Sequence, residues 1–115
     1  MPARKERIAK TESLFRSVNE RIAEASERFD NGDNDGAELL CECADPNCAE
    51  RLHVPLEEYE QVREDATTFV LDPDHVEPDV EKVVSRRPGY AVVKKVDQAV
   101  ARLVRKLDPR AQPAS

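Results

Sequence analysis

The chain opens with a helical alternation of apolar and polar positions. Ile8, Thr11, Phe15, Val18, Ile22, Ala25 and Phe29 recur at alternating spacings of three and four, a heptad-like seam with one polar interruption, and Arg, Glu, Lys and Asn fill the other faces. The pattern predicts one long amphipathic helix over 3–29, with Pro2 tolerated near its start and Asn31-Gly32 stopping it in a left-handed turn. Such a helix is roughly 40 Å long at 1.5 Å per residue. Either its first half projects and pairs with another helix, or it lies across the rest of the domain.

The pattern then changes. Residues 37–43 and 51–55 read as two short strands, and Pro55 opens a short helix whose Leu56, Tyr59 and Val62 share a face. TTFVL at 67–71 is a strand by its β-branched and aromatic content. After the loop DPDHVEPD, the run EKVVSRRPGYAVVKKV predicts a hairpin turning at Pro88-Gly89 and burying Val83, Val84, Tyr90, Val92, Val93 and Val96. Asp97 caps a last helix with Val100, Leu103, Val104 and Leu107 on one side, and Asp108-Pro109 ends it. The order of elements predicts an α+β fold with a small, mostly antiparallel sheet. Its expected parts are the long helix over 1–30, a metal-stabilised α+β domain over 31–110 and a disordered tail over 111–115.

Composition turns attention to a metal. With 4 % aromatic and 37 % charged residues in 115, the core is thin for one domain, and a structural metal would supplement it. The opening MPARKERIAK has no apolar signal-peptide core, and no stretch approaches 18 apolar residues, so a cytoplasmic protein with no membrane segment is expected. In a reducing compartment three closely spaced cysteines, an odd number, argue for metal binding over disulfides.

Two metal motifs overlap in NGDNDGAELLCECADPNC. Asn31, Asp33, Asp35, Gly36 and Glu42 stand at positions one, three, five, six and twelve of a calcium loop. Position eight, normally apolar, is Glu38, and Pro46 forbids the helix that should follow the twelfth position. The calcium match is therefore read as a coincidence within an Asp/Asn/Gly turn. The soft-metal pattern is better built. Cys41 and Cys43, two apart on a strand, project from one face, and the turn Asp45-Pro46-Asn47 returns Cys48 toward them. Three packed thiols without a metal, or a thiol redox site, are the alternatives, the latter weakened by the lack of a nearby basic residue.

Zinc needs a fourth ligand, and iron or another soft metal suits similar donors. His53 lies on the partner strand and would face the thiolates only if the strand register shifted by one from the pairing of Cys41 with Leu52 that alternation favours. His75 ends Asp72-Pro73-Asp74-His75, the same kind of turn that presents Cys48. The reading favours Cys41, Cys43, Cys48 and His75, with His53, water or a carboxylate as alternatives to His75. A Cys3His site is coordinatively closed, so its work is structural and an enzyme is not expected. No Gly-rich phosphate loop or nucleophile elbow is present in the sequence.

The run LCECADPNCAERLHVPLEEYEQVR, followed by FVLDPDH and EKVVSRRPGYAVVKK, resembles a family of short actinobacterial proteins of unknown function. That family carries a CxC-x4-C segment, an EYE-x-VR helix, a Pro-x-His loop and a Gly-Tyr hairpin. The resemblance covers residues 8 to 96 and implies His75 as the fourth ligand, but no activity. Where the family has Pro-Gly-His-Glu, this chain has Pro73-Asp74-His75-Val76, and the position of His53 is not usually histidine in the family.

Charge separates two functional expectations. Residues 1–23 hold six basic and three acidic residues, 24–80 three and eighteen, and 81–115 nine and three, giving the net −6. The first expectation is a small zinc-stabilised interaction or regulatory protein, offering its acidic middle and long helix to a protein partner or to a second copy as a homodimer. The alternative is nucleic-acid binding through Arg86, Arg87, Lys94 and Lys95 of the hairpin and Arg102, Arg105 and Lys106 of the last helix. Against the alternative stand the pI near 5.0 and the single aromatic, Tyr90, in that patch.

Overall fold

The computed structural model describes residues 2–28 and 36–111. Over these the order is α1 (Pro2–Arg28), β1 (Ala37–Leu40), β2 (Arg51–Val54), α2 (Leu56–Val62), β3 (Thr68–Leu71), a 3-10 turn (Pro73–His75), β4 (Glu81–Arg87), β5 (Tyr90–Lys95), α3 (Gln98–Lys106) and a second 3-10 turn (Pro109–Ala111). The class is α+β, as the patterning predicts. The antiparallel pairing is divided between two sheets, β1-β2 and β3-β5-β4. Phe29, the helix stop at Asn31-Gly32 and the tail beyond Ala111 lie outside the described residues.

The division explains why β1 ends at Leu40, short of the predicted 43. The Cys41 amide still donates to the Glu50 carbonyl on the β2 side at 3.1 Å, but the Glu42 amide donates to the Val70 carbonyl of β3 at 2.9 Å. The chain changes partner between these two residues, so 41–43 joins the sheets. In the hairpin, Gly89 takes a φ of +84° at the turn, a conformation suited to glycine. Val83 pairs with Val93 and Ser85 with Val92, leaving Val84 as the extra residue of a bulge. Val84 is consequently 48 % exposed, and Val96, beyond the end of β5, is 50 % exposed, so neither joins the core as predicted. Tyr90, Val92 and Val93 are buried and Val83 is half-buried.

Helix α1 lies across the domain. Arg4 bonds Asp79 at 2.7 Å and Glu77 at 3.0 Å, so its first turn is docked. Lys5 meets Asp97 at the start of α3 at 2.6 Å, and Glu20 meets Arg110 past its end at 2.9 Å, so α1 and α3 run side by side in the same direction. The face that α1 buries is not the apolar seam. Ile8 is buried, but Thr11, Phe15 and Ile22 are half-buried, and Val18 and Ala25 are exposed. The deepest face carries Ala9, Glu12, Arg16, Asn19 and Ala23, about a third of a turn away.

Most of these polar groups are buried against partners, while Glu12 Oε1 and Oε2 and Arg16 Nε make no hydrogen bond among the described residues. Arg16 donates to the carbonyls of Ala66 at 2.6 Å and Val104 at 2.8 Å, with its guanidinium 4.3 Å from the Phe69 ring centre. Asn19 exchanges two bonds with the Leu40 backbone, at 2.9 and 2.8 Å. Glu12 pairs with Lys95, which also holds Glu81, and all three side chains are fully buried.

Candidate metal centre

Cys41 and Cys43 project from the junction between the sheets, Cys48 from the β1-β2 connection and His75 from the turn after β3. Their ligand atoms all lie within 4.8 Å of one another, and the group could hold a metal ion. His75 Nδ1 is 3.4 Å from Cys41 Sγ and 3.7 Å from Cys48 Sγ. In a tetrahedral zinc site, with Zn–S near 2.3 Å and Zn–N near 2.0–2.1 Å, sulfur and nitrogen ligands stand about 3.6 Å apart. The observed separations fit that geometry, with Nδ1 turned to the sulfurs.

Local sequence explains how the ligands converge. The Cys48 amide donates to the Asp45 carbonyl at 3.1 Å while Asp45 Oδ1 accepts from the Asn47 amide at 2.9 Å. The His75 amide donates to the Asp72 carbonyl at 2.8 Å while Asp72 Oδ1 accepts from the Asp74 amide at 2.8 Å. The two Asp-Pro turns thus share one hydrogen-bond pattern, and each delivers a ligand at its fourth residue. His53 is excluded from the group by register. β1 and β2 pair Leu39 with Leu52 and Glu38 with His53, two residues from the expected pairing of Cys41 with Leu52. A slip of two preserves the faces, so the cysteines look inward with Leu52 and Val54 while His53 stands exposed beside Glu38.

The Cys41 sulfur also receives a backbone N–H, from Asp72 at 3.2 Å. Such a donor suits a site whose three thiolates exceed the charge of one divalent ion. Among the protein groups alone, the thiol of Cys41 bonds Cys43 and, with the Asp45 N–H, brings it down to about 5 despite burial. The same contact with Cys43, followed by burial, pushes Cys41 up, and burial raises Cys48. Burial lowers His75, but the Cys43 thiolate outweighs it and holds the ring above its usual value. A cleft of about 220 Å³ lined by Cys43, Ala44, Asp45, Asp74, His75 and Glu77 opens onto this cluster.

Glu42, between the two inner cysteines, points the opposite way into the core. It is fully buried and accepts from Asn19 at 2.8 Å, from the Tyr59 hydroxyl at 3.1 Å and from the Val70 amide at 3.0 Å. Burial raises its pKa, opposed by the Asn19 and Val70 hydrogen bonds and by Arg16 and Arg63. The residue that would be the twelfth calcium ligand is therefore committed to α1, α2 and β3. Asn31, Asp33 and Asp35 of that motif lie outside the described residues. Gly36 serves the backbone, with a φ of +98° and a position where a Cβ would come within 2.5 Å of the Val54 carbonyl oxygen. In the sequence Glu42 stands out only as the twelfth position of the calcium motif. The signal was the CxC alternation itself, which sends the middle residue to the other, equally buried, face.

The proposed basic patch is largely dispersed. Lys95 is buried between Glu12 and Glu81, with its ammonium 4.8 Å from the Phe69 ring centre, and is corrected from a surface contact to a core ion. Lys94 pairs with Asp65 at 3.0 Å and Arg87 reaches Glu58 at 3.8 Å, so part of the C-terminal charge is spent on the acidic middle. Arg86, Arg102, Arg105 and Lys106 are exposed and make no ion pair among the described residues. No described helix is long and apolar enough to cross a membrane. Set beside known protein families, curated proteins and solved structures, the chain matches none.

Proposed function

We propose that the chain is a zinc-stabilised interaction module without catalytic activity of its own. The observation that carries the reading is the convergence of Cys41, Cys43, Cys48 and His75 within 4.8 Å, three sulfurs and one imidazole nitrogen drawn from segments that flank both sheets. Such a set fills all four tetrahedral positions of zinc and leaves none for substrate or water. When bound, the ion supplies folding free energy, on the order of 10 kcal/mol at neutral pH by analogy with zinc fingers. It does so at the junction, joining the end of β1, the β1-β2 connection and the exit of β3. The surface offered to a partner or a second copy is the outer stripe of α1, where Leu14 is 62 % and Val18 37 % exposed one turn apart.

Native mass spectrometry of the purified protein tests both parts. One zinc per chain and no calcium is the expected loading, and the same spectra report the oligomeric state. Stoichiometric calcium, iron, or no metal at all refutes the zinc reading. Nucleic-acid binding is the second reading, favoured only by Arg86, Arg102, Arg105 and Lys106, which are exposed and make no ion pair among the described residues.

A further inference from the structure

The cysteines of the cluster are not equivalent. Cys41 and Cys43 are each 1 % exposed, whereas Cys48 is half-buried. Cys41 is tied down on both sides: its amide bonds Glu50 and its sulfur accepts the Asp72 N–H. Cys43 and Cys48 instead bracket the Asp45-Pro46-Asn47 turn, outside both ladders, with their sulfurs within 4.8 Å of each other. The cleft of about 220 Å³ reaches Cys43 and His75 from solvent, and Cys48 keeps part of its own surface open, so a molecule the size of a peroxide can approach the pair from both sides. No basic residue is needed to activate them, because a coordinated thiol is held as thiolate.

We propose that the centre is an oxidation-sensitive latch in which a hydroperoxide joins Cys43 to Cys48, releasing the metal and with it the His75 turn. The inference rests on the zinc reading. The Cys48 thiolate attacks the outer oxygen of the hydroperoxide; the O–O bond breaks, the alkoxide takes a proton to become an alcohol, and Cys48 becomes a sulfenic acid. The Cys43 thiolate then attacks the Cys48 sulfur, the S–S bond forms, the S–O bond breaks, and the departing hydroxide takes a proton to become water. Two thiolates, one hydroperoxide and two protons yield one disulfide, one alcohol and one water (two waters where the oxidant is hydrogen peroxide), with sulfur oxidised and peroxide reduced. Cys41 and His75 remain, two ligands where zinc needs four.

The test treats the zinc-loaded full chain with one equivalent of hydrogen peroxide or of tert-butyl hydroperoxide. Released zinc is read with a chromogenic chelator. The residual thiol is blocked with a maleimide, and cleavage before Asp45 separates Cys48 from the other two cysteines for mass mapping. The expected result is one zinc released per chain, a Cys43–Cys48 disulfide and maleimide on Cys41, all reversed by a dithiol reductant with added zinc. Retention of zinc with all thiols reduced, maleimide on Cys43 or Cys48, or sulfinic acid without disulfide overturns the latch. A protein purified without zinc overturns the metal reading itself, a result visible before any peroxide is added.

Discussion

Glu42 and Val70 hold each other at two points. The Glu42 amide donates to the Val70 carbonyl at 2.9 Å, and the Val70 amide donates to Glu42 Oε1 at 3.0 Å. One residue thus serves as a β-ladder partner through its backbone and as an acceptor through its side chain. Removing the carboxylate in Glu42→Ala strands the Val70 amide, the Tyr59 hydroxyl and one Asn19 donor in the interior. The expected loss is on the order of 3 kcal/mol, and about 1 kcal/mol for Glu42→Gln, which keeps one acceptor oxygen. Urea unfolding of the zinc-loaded variants measures both, and equal losses would refute the role given to the carboxylate.

His75 and His53 should part company in metal retention. His75→Ala removes the only nitrogen in the cluster and is expected to lower zinc affinity at least about 100-fold. His53→Ala alters an exposed side chain on the opposite face and should leave affinity unchanged. Competition against a chelator of known affinity decides, and equal retention by the two variants defeats the assignment.

Glu12 sets a pH dependence. Burial pushes its pKa up to about 8, with Lys95 opposing and Glu81 and Glu42 adding to the rise. In the unfolded chain the group releases its proton near 4.5. Between these values the native state binds more protons than the unfolded one, so this contribution to stability is full below about pH 4.5 and is lost as pH rises toward about 8. Glu12→Gln should flatten that decline, leaving Lys95 paired with Glu81 alone. Denaturant midpoints across that range provide the check, and an unchanged slope in the variant contradicts the assignment.

Gly36→Ala is expected to destabilise the fold by more than 1 kcal/mol, roughly the ordinary glycine effect plus a clash. The added methyl meets the Val54 carbonyl oxygen at 2.5 Å and the Pro55 Cα at 2.7 Å, both backbone atoms that move only with β2. Thermal unfolding of the metal-loaded variant reads the effect, and a melting temperature equal to the parent's rules out the close approach.

Nucleic-acid binding should be weak even at low salt, because Lys95 is buried and Lys94 and Arg87 already face carboxylates. A filter-binding titration on duplex DNA checks it. Tight, sequence-tolerant association near physiological salt, with a log-log slope of roughly −0.9 per phosphate neutralised and loss on Arg86→Glu, would instead place the basic C-terminal segment at the centre of function.

Local chemistry was readable where the sequence states it locally. The two Asp-Pro turns, the Asp97 cap and the Pro88-Gly89 hairpin are each written in a few adjacent residues, and the four ligands follow from them. The burial of α1 was not readable in that way. Its inner face is defined by what Arg16, Asn19 and Glu12 meet, namely carbonyls of Ala66, Val104 and Leu40 and the ammonium of Lys95, all of them distant in sequence. Apolar periodicity follows the half-buried seam of Phe15 and Ile22 instead. The exchange of partners at Cys41 and Glu42 was equally hidden, since a strand that passes from one sheet to the next keeps the same alternation.

The polar inner face of α1 also governs how the protein opens. A helix docked through an apolar stripe leaves a sticky scar when it lifts off, and the opened form invites aggregation. Lifting α1 uncovers Glu12, Arg16 and Asn19 among Ile8, Ala9 and Ala23 on one side, and Lys95, Glu81 and backbone carbonyls beside Phe69 on the other, so much of the scar is polar. The partly undocked chain is therefore expected to be less prone to self-association than one opened at a purely apolar stripe, with amide exchange in α1 running ahead of global unfolding.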